Sequence, residues 1–326
     1  MRMIARRIAF YVITTIVAIT VNFFIPRLMP GNPALAVLGR VQSQESKQAI
    51  AALELQYGVQ TRTGLWGQYT QYWIHLLHGN LGTSLNFYPA SVGSLIRAAL
   101  PWTIGLVGTA TVISFVLGTL LGVAAAWRRG SWLDGLLPAM TFFQAAPYFF
   151  VAILAVALFG TKLGWFPQNS GYATATLNPG LNWTFISNVL DHAVLPALTI
   201  VLASVAGWII GMRNMMITTM DEDYVLIAQA KGLPTRRVIG YAARNALLPS
   251  VAGFSLAVGF IVSGALLTEI VFSYPGIGYL LEQAVLNHDY PLLQGLFLII
   301  TFAVLAANLI GDFVYVFLDP RTRQEA

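Results

Sequence analysis

The chain has 326 residues, 57% of them hydrophobic and only 10% charged, with 18 Lys and Arg against 13 Asp and Glu and a formal net charge of +5. A soluble domain carries about a quarter charged residues, so a mean hydropathy of +0.69 excludes an ordinary water-soluble enzyme, and continuous rather than alternating apolar runs exclude a membrane β-barrel. The absence of cysteine excludes disulfides, thiol chemistry and the commonest soft metal ligands.

Six stretches reach the roughly 20 mostly apolar residues that a bilayer-spanning helix needs. They lie near 8–28, 99–127, 133–160, 193–212, 250–273 and 292–318, and predict an all-α membrane protein with six transmembrane helices. Arg2, Arg6 and Arg7 precede the first stretch in the manner of a signal peptide. No small-residue cleavage site follows and the run is long, which predicts an uncleaved first span.

Residues 29–98 then form an extracytoplasmic region too long for a plain connection. Ser43 to Gly58 predicts a helix, with Ile50, Leu53 and Tyr57 at helical spacing and Gly58 as its stop. Trp66, Tyr69, Tyr72, Trp73 and Ile74 form an aromatic-rich stripe, suited to a short amphipathic helix lying at the outer membrane surface. His75 and His78 could be drawn as half a metal site, but no acidic or cysteine partner accompanies them. Interfacial histidines near a helix end are the expectation, and no metal site is assigned.

Span two carries Gly105, Gly108, Gly118 and Gly122, which favours close helix contacts. Pro147, beside Gln144 and Tyr148, predicts a kink in span three. The 161–190 segment, with Lys162, Trp165, Tyr172 and Trp183, is turn-rich and is expected to be a second external loop.

Asp221 to Pro249 is a basic, Gly-broken helical stretch between two apolar runs. Asp221, Glu222 and Asp223 at its start and Lys231 at the end of its first helix match the helix dipole. Gly232 followed by Pro234 predicts the break, since Gly ends helices and Pro is tolerated at the start of the next. Ala228 and Ala230 keep the first helix thin. Arg236, Arg237 and Arg244 decorate a second helix that returns to Pro249 and span five.

Lys and Arg in short loops stay cytoplasmic. A cytoplasmic N-terminus puts twelve of the 18 basic residues inside: Arg2, Arg6, Arg7, Arg128, Arg129, Arg213, Lys231, Arg236, Arg237, Arg244, Arg321 and Arg323. Both termini and the 221–249 stretch are therefore expected on the cytoplasmic side. Topology accounts for the positive charge, and no basic face with interleaved aromatics suggests nucleic acid.

Polar groups within spans are costly in lipid and so are candidates for function. Asn22, Gln144, Ser263, Thr268 and Asn308 are neutral; Glu269 and Asp312 are ionisable. Gln144, Pro147, Tyr148, Ser263 and Asn308 are the candidates for lining a translocation path. Glu269 is expected to hydrogen-bond in a scaffold with the loop after it, and Asp312 to pair near the cytoplasmic end. The phosphate-cradling pattern GxxxxGK[ST] is absent, as is a second intramembrane Asp for an aspartyl hydrolase. A secondary transporter or channel, the alternative class, fits less well because intramembrane charges are few and no internal repeat is visible.

YVLIAQAKGL (Tyr224 to Leu233) resembles the cytoplasmic coupling segment, or EAA loop, of ABC importer permeases of the dipeptide/oligopeptide/nickel class. MPGNP (Met29 to Pro33), GNLGTS (Gly79 to Ser84), TEIVFSYPGIGYLL (Thr268 to Leu281), DYPLLQG (Asp289 to Gly295) and NLIGDFVYVFLDPRTR (Asn308 to Arg323) resemble that class in the same order. Together they cover essentially the whole chain. The resemblance implies the six-helix type I importer permease fold in the cell inner membrane, divided into residues 1–28, an extracytoplasmic region 29–98 and a permease core 99–326 with a cytoplasmic coupling loop at 213–249.

The resemblance further implies that Asp223, Tyr224, Ala228, Ala230, Lys231, Gly232, Leu233, Arg236 and Arg237 couple to an ATPase, while Glu269, Pro275, Gly276, Gly278, Asp312, Asp319, Pro320 and Arg321 are structural. Implied partners are a second homologous permease, two cytoplasmic ABC ATPases, an extracytoplasmic solute-binding protein and membrane lipid. ATP and Mg belong to the ATPases; this chain holds no cofactor and catalyses nothing. The chain departs from the family pattern at Leu226, Ile227 and Ala228, where Glu-Ala-Ala is preferred, and at Leu226 and Gln229, where relatives often carry Arg. The implied cargo is di- or oligopeptides, with cello- or xylo-oligosaccharides or a nickel chelate as alternatives; nickel lacks a His/Asp cluster along the spans.

Overall fold

Apolar residues recurring three and four apart build helices nearly throughout the computed structural model, which describes residues 2–28, 64–128, 130, 132–259, 261 and 265–318. The expected helix at Ser43 to Gly58, the MPGNP block, Ser263, Asp319, Pro320 and Arg321 lie outside the described residues. In chain order the helices are α1 (Arg2–Leu28), α2 (Leu65–Leu77), α3 (Val92–Trp127), α4 (Trp132–Ala145), α5 (Tyr148–Ala155), α6 (Trp183–Met220), α7 (Asp223–Ala230), α8 (Thr235–Gly259), α9 (Leu266–Val271), α10 (Ile277–Leu286) and α11 (Tyr290–Leu318). A π-helical turn at Ile104–Gly108 lies within α3, just after Pro101, and another at Val156–Lys162 prolongs α5.

Among the described residues, three helical stretches are long and apolar enough to cross a membrane: Val92–Trp127, Trp183–Met220 and Tyr290–Gly311, of 36, 38 and 22 residues. Shorter apolar helices run over Ala9–Ile25, Tyr148–Lys162 and Ile277–Leu286. The structure differs from the sequence expectation in four places. Trp183, placed in a loop, is the first residue of α6, because the Asn182 side chain caps that helix by accepting from the Phe185 N–H at 2.8 Å. The kink expected at Pro147 is a full break between α4 and α5, since proline lacks an N–H and drives its predecessor out of helical geometry. Pro249, expected at a join, lies inside α8. The stretch expected as span five is divided among the end of α8 and the short α9.

The chain forms two compact units, Met1–Trp102 with Pro275–Leu305 and Thr103–Tyr274 with Ala306–Ala326. In the first, the aromatic stripe read from the sequence is α2, packed on α1. The Phe23 ring meets Tyr69 edge-on at 5.2 Å, and the Thr20 and Tyr69 hydroxyls lie 2.8 Å apart. Asn22, counted among the intramembrane polar groups, donates from Nδ2 to the Tyr72 hydroxyl at 3.2 Å and to the Gln294 carbonyl at 2.9 Å, so it ties helices together. Burial pushes the Tyr72 hydroxyl above the usual tyrosine range, against the opposing effects of the Asn22 bond and the Arg27 charge.

In the second unit α6 is the central helix. Its buried residues Thr199, Ala203, Ala206, Ile209, Met212, Met216 and Thr219 follow helical spacing along one side. Against it α3 sets a ridge of small residues every four positions, Ala110, Ser114, Gly118, Gly122 and Ala126, all buried. A Cβ on Gly122 would lie 2.7 Å from the Ile209 carbonyl oxygen, so the two backbones approach more closely than any side chain allows. The Ser114 and Ser204 hydroxyls meet across this contact at 2.7 Å. Of the other glycines singled out in span two, Gly105 has open space around it. The opposite face of α3 exposes Val112, Val116, Leu117 and Leu120, the pattern of a surface meant for lipid or a partner rather than water.

Candidate functional site

Where α6 leaves its apolar run the chain makes a turn–helix–turn. α7 is one short helix with Glu222 as its N-cap and Asp223 in its first turn. It ends in a Schellman motif: the Leu233 N–H donates to the Ala228 carbonyl at 3.2 Å and the Gly232 N–H to the Gln229 carbonyl at 2.9 Å. Gly232 sits at φ +71°, a left-handed conformation that L side chains rarely adopt. The break expected from Gly232 and Pro234 is there, and α8 starts at the next residue, Thr235.

The structure separates the expected coupling residues by face. Val225 and Ala228 point inward, joining Ala126, Met212, Met216, Val238, Ala242 and Ala246 in one buried cluster, with Leu233 packed against it. Ala228 is only 7% exposed, so its methyl group serves as this chain's own seat for α7 and presents no outer surface. Leu233 shares that role. Outward, Tyr224, Leu226 and Ile227 are 41%, 49% and 53% exposed, and Asp223, Ala230, Lys231, Gly232, Arg236 and Arg237 are exposed beside them. None of the side chains from Asp223 to Arg237 hydrogen-bonds to another described residue. The site is an apolar ridge ringed by unengaged charges on a helix anchored by dispersion and burial alone. Leu226 and Ile227, noted as departures from the family pattern, supply most of that ridge.

A second feature of the same unit is a cavity of about 580 Å³ bounded by α3, α4, α5, α6 and by Ala257, Ile261 and Ala265. Gln144 and Tyr148, flanking the α4–α5 break, line it together with Val107, Thr111, Ser204 and Trp208. Pro147 creates the break but is not among the lining residues, and neither is Asn308, which lies half-buried on α11. Broken backbone at membrane depth is tolerated where it borders protein or a water-filled cavity, and this arrangement satisfies that condition.

Of the expected scaffold, Thr268 and Glu269 are fully buried on α9, whose end is a second Schellman motif with the Tyr274 N–H donating to the Glu269 carbonyl at 2.8 Å. In the first unit Gly276 is the N-cap of α10, with Gly278 buried in its first turn and Pro275 half-buried ahead of it. Asp312 lies on α11.

Sequence reasoning did not single out Asp289. Its carboxylate is wholly buried and accepts from the Ser84 hydroxyl, from the Asn86 N–H at 2.9 Å and, as N-cap of α11, from the Leu292 N–H at 3.2 Å. It pins the GNLGTS block to the start of that helix. The signal was present in the Asp-Tyr-Pro that opens the final apolar run, an N-cap pattern.

The model of one protein family, described as the binding-protein-dependent transport system inner membrane component, matches residues 118–324. That match takes in the α7 turn and most of the cavity lining. The chain belongs to this family. Among its relatives, the di/tripeptide transport system permease protein DppB of Pseudomonas aeruginosa is 33% identical over 99% of this chain and 98% of its own length. The dipeptide transport system permease protein DppB of Alkalihalophilus pseudofirmus is 33% identical over 93% of each chain, and the oligopeptide transport system permease protein AppB of Bacillus subtilis 30% identical over 92% of each. The resemblance of the sequence blocks to permeases of this class is thereby borne out. The chain is a multi-pass inner-membrane permease component of a binding-protein-dependent transport system.

Proposed function

We propose that this permease is one half of the translocation pathway of an ATP-driven importer of short peptides. One observation carries the reading: α7 presents an apolar ridge of Tyr224, Leu226 and Ile227, ringed by the unengaged Asp223, Lys231, Arg236 and Arg237, on a helix seated against the α6 end. A ridge of this kind facing water calls for a protein partner. In the proposed arrangement the first residues, the C-terminus and the 213–249 loop face the cytoplasm, six spans cross the membrane, and residues 29–98 face outward to receive solute from a binding protein. A second, homologous permease completes the pathway, and each permease docks one ABC ATPase on its coupling turn. ATP and Mg are bound by those ATPases; this chain converts their closure into movement of α6 and α8 through the buried methionine and alanine cluster. Peptide cargo is supported by the names of the full-length relatives.

The test is uptake by proteoliposomes holding the complex purified through a tag on this chain, with the binding protein outside. Labelled di- and tripeptides should enter only with ATP inside. Import that persists after the ATPase sites are inactivated sinks the coupling reading, and ATP hydrolysis stimulated by the loaded binding protein with no peptide entering sinks the cargo.

A further inference from the structure

Among the residues lining the 580 Å³ cavity none carries an Asp, Glu, Lys, Arg or His side chain. Its polar groups fall into two sets. The hydroxyls of Thr111 and Ser204 are occupied by their own helices, donating to the Val107 carbonyl at 2.7 Å and the Ile200 carbonyl at 2.6 Å. The Gln144 carboxamide, the Tyr148 hydroxyl and the Trp208 indole N–H make no hydrogen bond to any described residue. Three unsatisfied polar groups thus converge on one apolar-walled space, from the end of α4, the start of α5 and the middle of α6. Gln144 and Tyr148 are exposed and Trp208 half-buried, so their polar ends are open to a solute that enters this space and are not committed to the protein's own bonds.

We propose that these three groups form a charge-neutral recognition point in the pathway, with Gln144 as its specificity-determining residue. The inference rests on the peptide-importer reading above and deepens it. A carboxamide offers both N–H donors and a carbonyl acceptor, the complement of a peptide group. Tyr148 adds a second donor–acceptor and Trp208 a donor. Because no fixed charge stands in the lining, acidic and basic side chains of the cargo meet the same reorientable dipoles. A single fixed charge there would change this, since it attracts one sign of cargo side chain and repels the other at contact distance. The site therefore recognises the backbone common to all peptides and disregards the charge of their side chains. Gln144 lies against Gly207, where a Cβ would stand 3.4 Å from its Nε2, and the missing side chain leaves the carboxamide room to turn.

The experiment compares ATP-driven import of Ala-Glu-Ala, Ala-Gln-Ala and Ala-Lys-Ala by the reconstituted full complex, each supplied at saturating binding protein. Wild-type rates should agree within about threefold. Gln144→Glu should lower import of the acidic peptide at least tenfold relative to the basic one, Gln144→Lys should reverse that ratio, and Gln144→Leu should slow all three equally. A general folding or assembly defect lowers every peptide alike under all three substitutions, and that result overturns the proposal, as does a wild-type preference above tenfold for one charge. Should the Gln144 variants not assemble, Thr111→Asp and Thr111→Lys place the same charges in the same cavity and are judged by the same ratio. Failure of the wild-type complex to import any of the peptides refutes the cargo reading itself, which separates the two claims.

Discussion

The α2 helix of the first unit and the α7 helix of the second end alike, each in a Schellman motif closed by a left-handed glycine, Gly79 and Gly232. Their seats differ in kind. α2 is held by directional bonds: Tyr69 to Thr20, Tyr72 to Asn22, and Gln68 accepting from Arg27 Nε at 3.2 Å. The GNLGTS turn after it is pinned by the buried Asp289 carboxylate. α7 has no side-chain hydrogen bonds to described residues and rests through Val225 and Ala228 on Met212 and Met216. Hydrogen bonds fix one geometry, because bending or stretching them loses most of their strength. An apolar seat is non-directional, and methionine adapts its shape, so it permits small sliding while keeping contact. The polar seat suits a surface that stays fixed, the apolar seat one that can shift without losing contact, as the proposed coupling requires.

Four substitutions test that contrast, in descending order of expected effect. Asp289→Ala should lower stability most, by about 3–9 kcal/mol, because it orphans three donors at about 1–3 kcal/mol each; a thermal melt of the purified complex measures it, with Asp289→Asn intermediate. Met216→Ala, fully buried in the cluster under α7, should cost about 2–5 kcal/mol as a core cavity, read by the same melt. If it also raises ATP hydrolysis per peptide imported, the apolar seat is the transmitting element; unchanged coupling would place transmission elsewhere.

Gly232→Val should cost about 1–2 kcal/mol, since a β-branched residue is forced into left-handed backbone. Membrane insertion should stay normal while transport falls away from ATP hydrolysis. Unchanged transport by this variant would remove the case for a coupling turn there. The smallest effect is expected from Arg236→Glu with Arg237→Glu, exposed charges worth under about 1 kcal/mol each. Co-purification of the ATPase should weaken most at low ionic strength, where charge contacts are least screened. An unaltered yield would assign these arginines to lipid headgroups instead.

Much of this was legible in the sequence. Helical stripes, the aromatic helix α2, the turn at Gly232 and the disruption at Pro147 follow from local patterns, because helix geometry and proline and glycine chemistry act within a few residues. Family membership was legible from ordered blocks such as YVLIAQAKGL and TEIVFSYPGIGYLL. Less legible were helix limits: hydropathy marks the lipid-thick part of α6 but not its capped start at Asn182. Pro249 was misjudged because one lost N–H bond does not end a helix held by its neighbours.

By itself, then, the sequence determined that the chain is helical, membrane-embedded and broken by a turn at Gly232, since composition and short-range spacing suffice for each. Only the tertiary structure decided which face of α7 is spent inward, that Ala228 is a seat rather than a surface, and that Gln144, Tyr148 and Trp208 share one cavity. It also paired Asp289 with Ser84, 205 residues away in the chain. The reason is physical. A helical stripe states that a face will be covered, but the partner depends on how all the helices pack at once, and that choice is made by close approaches such as Gly122 on Ile209.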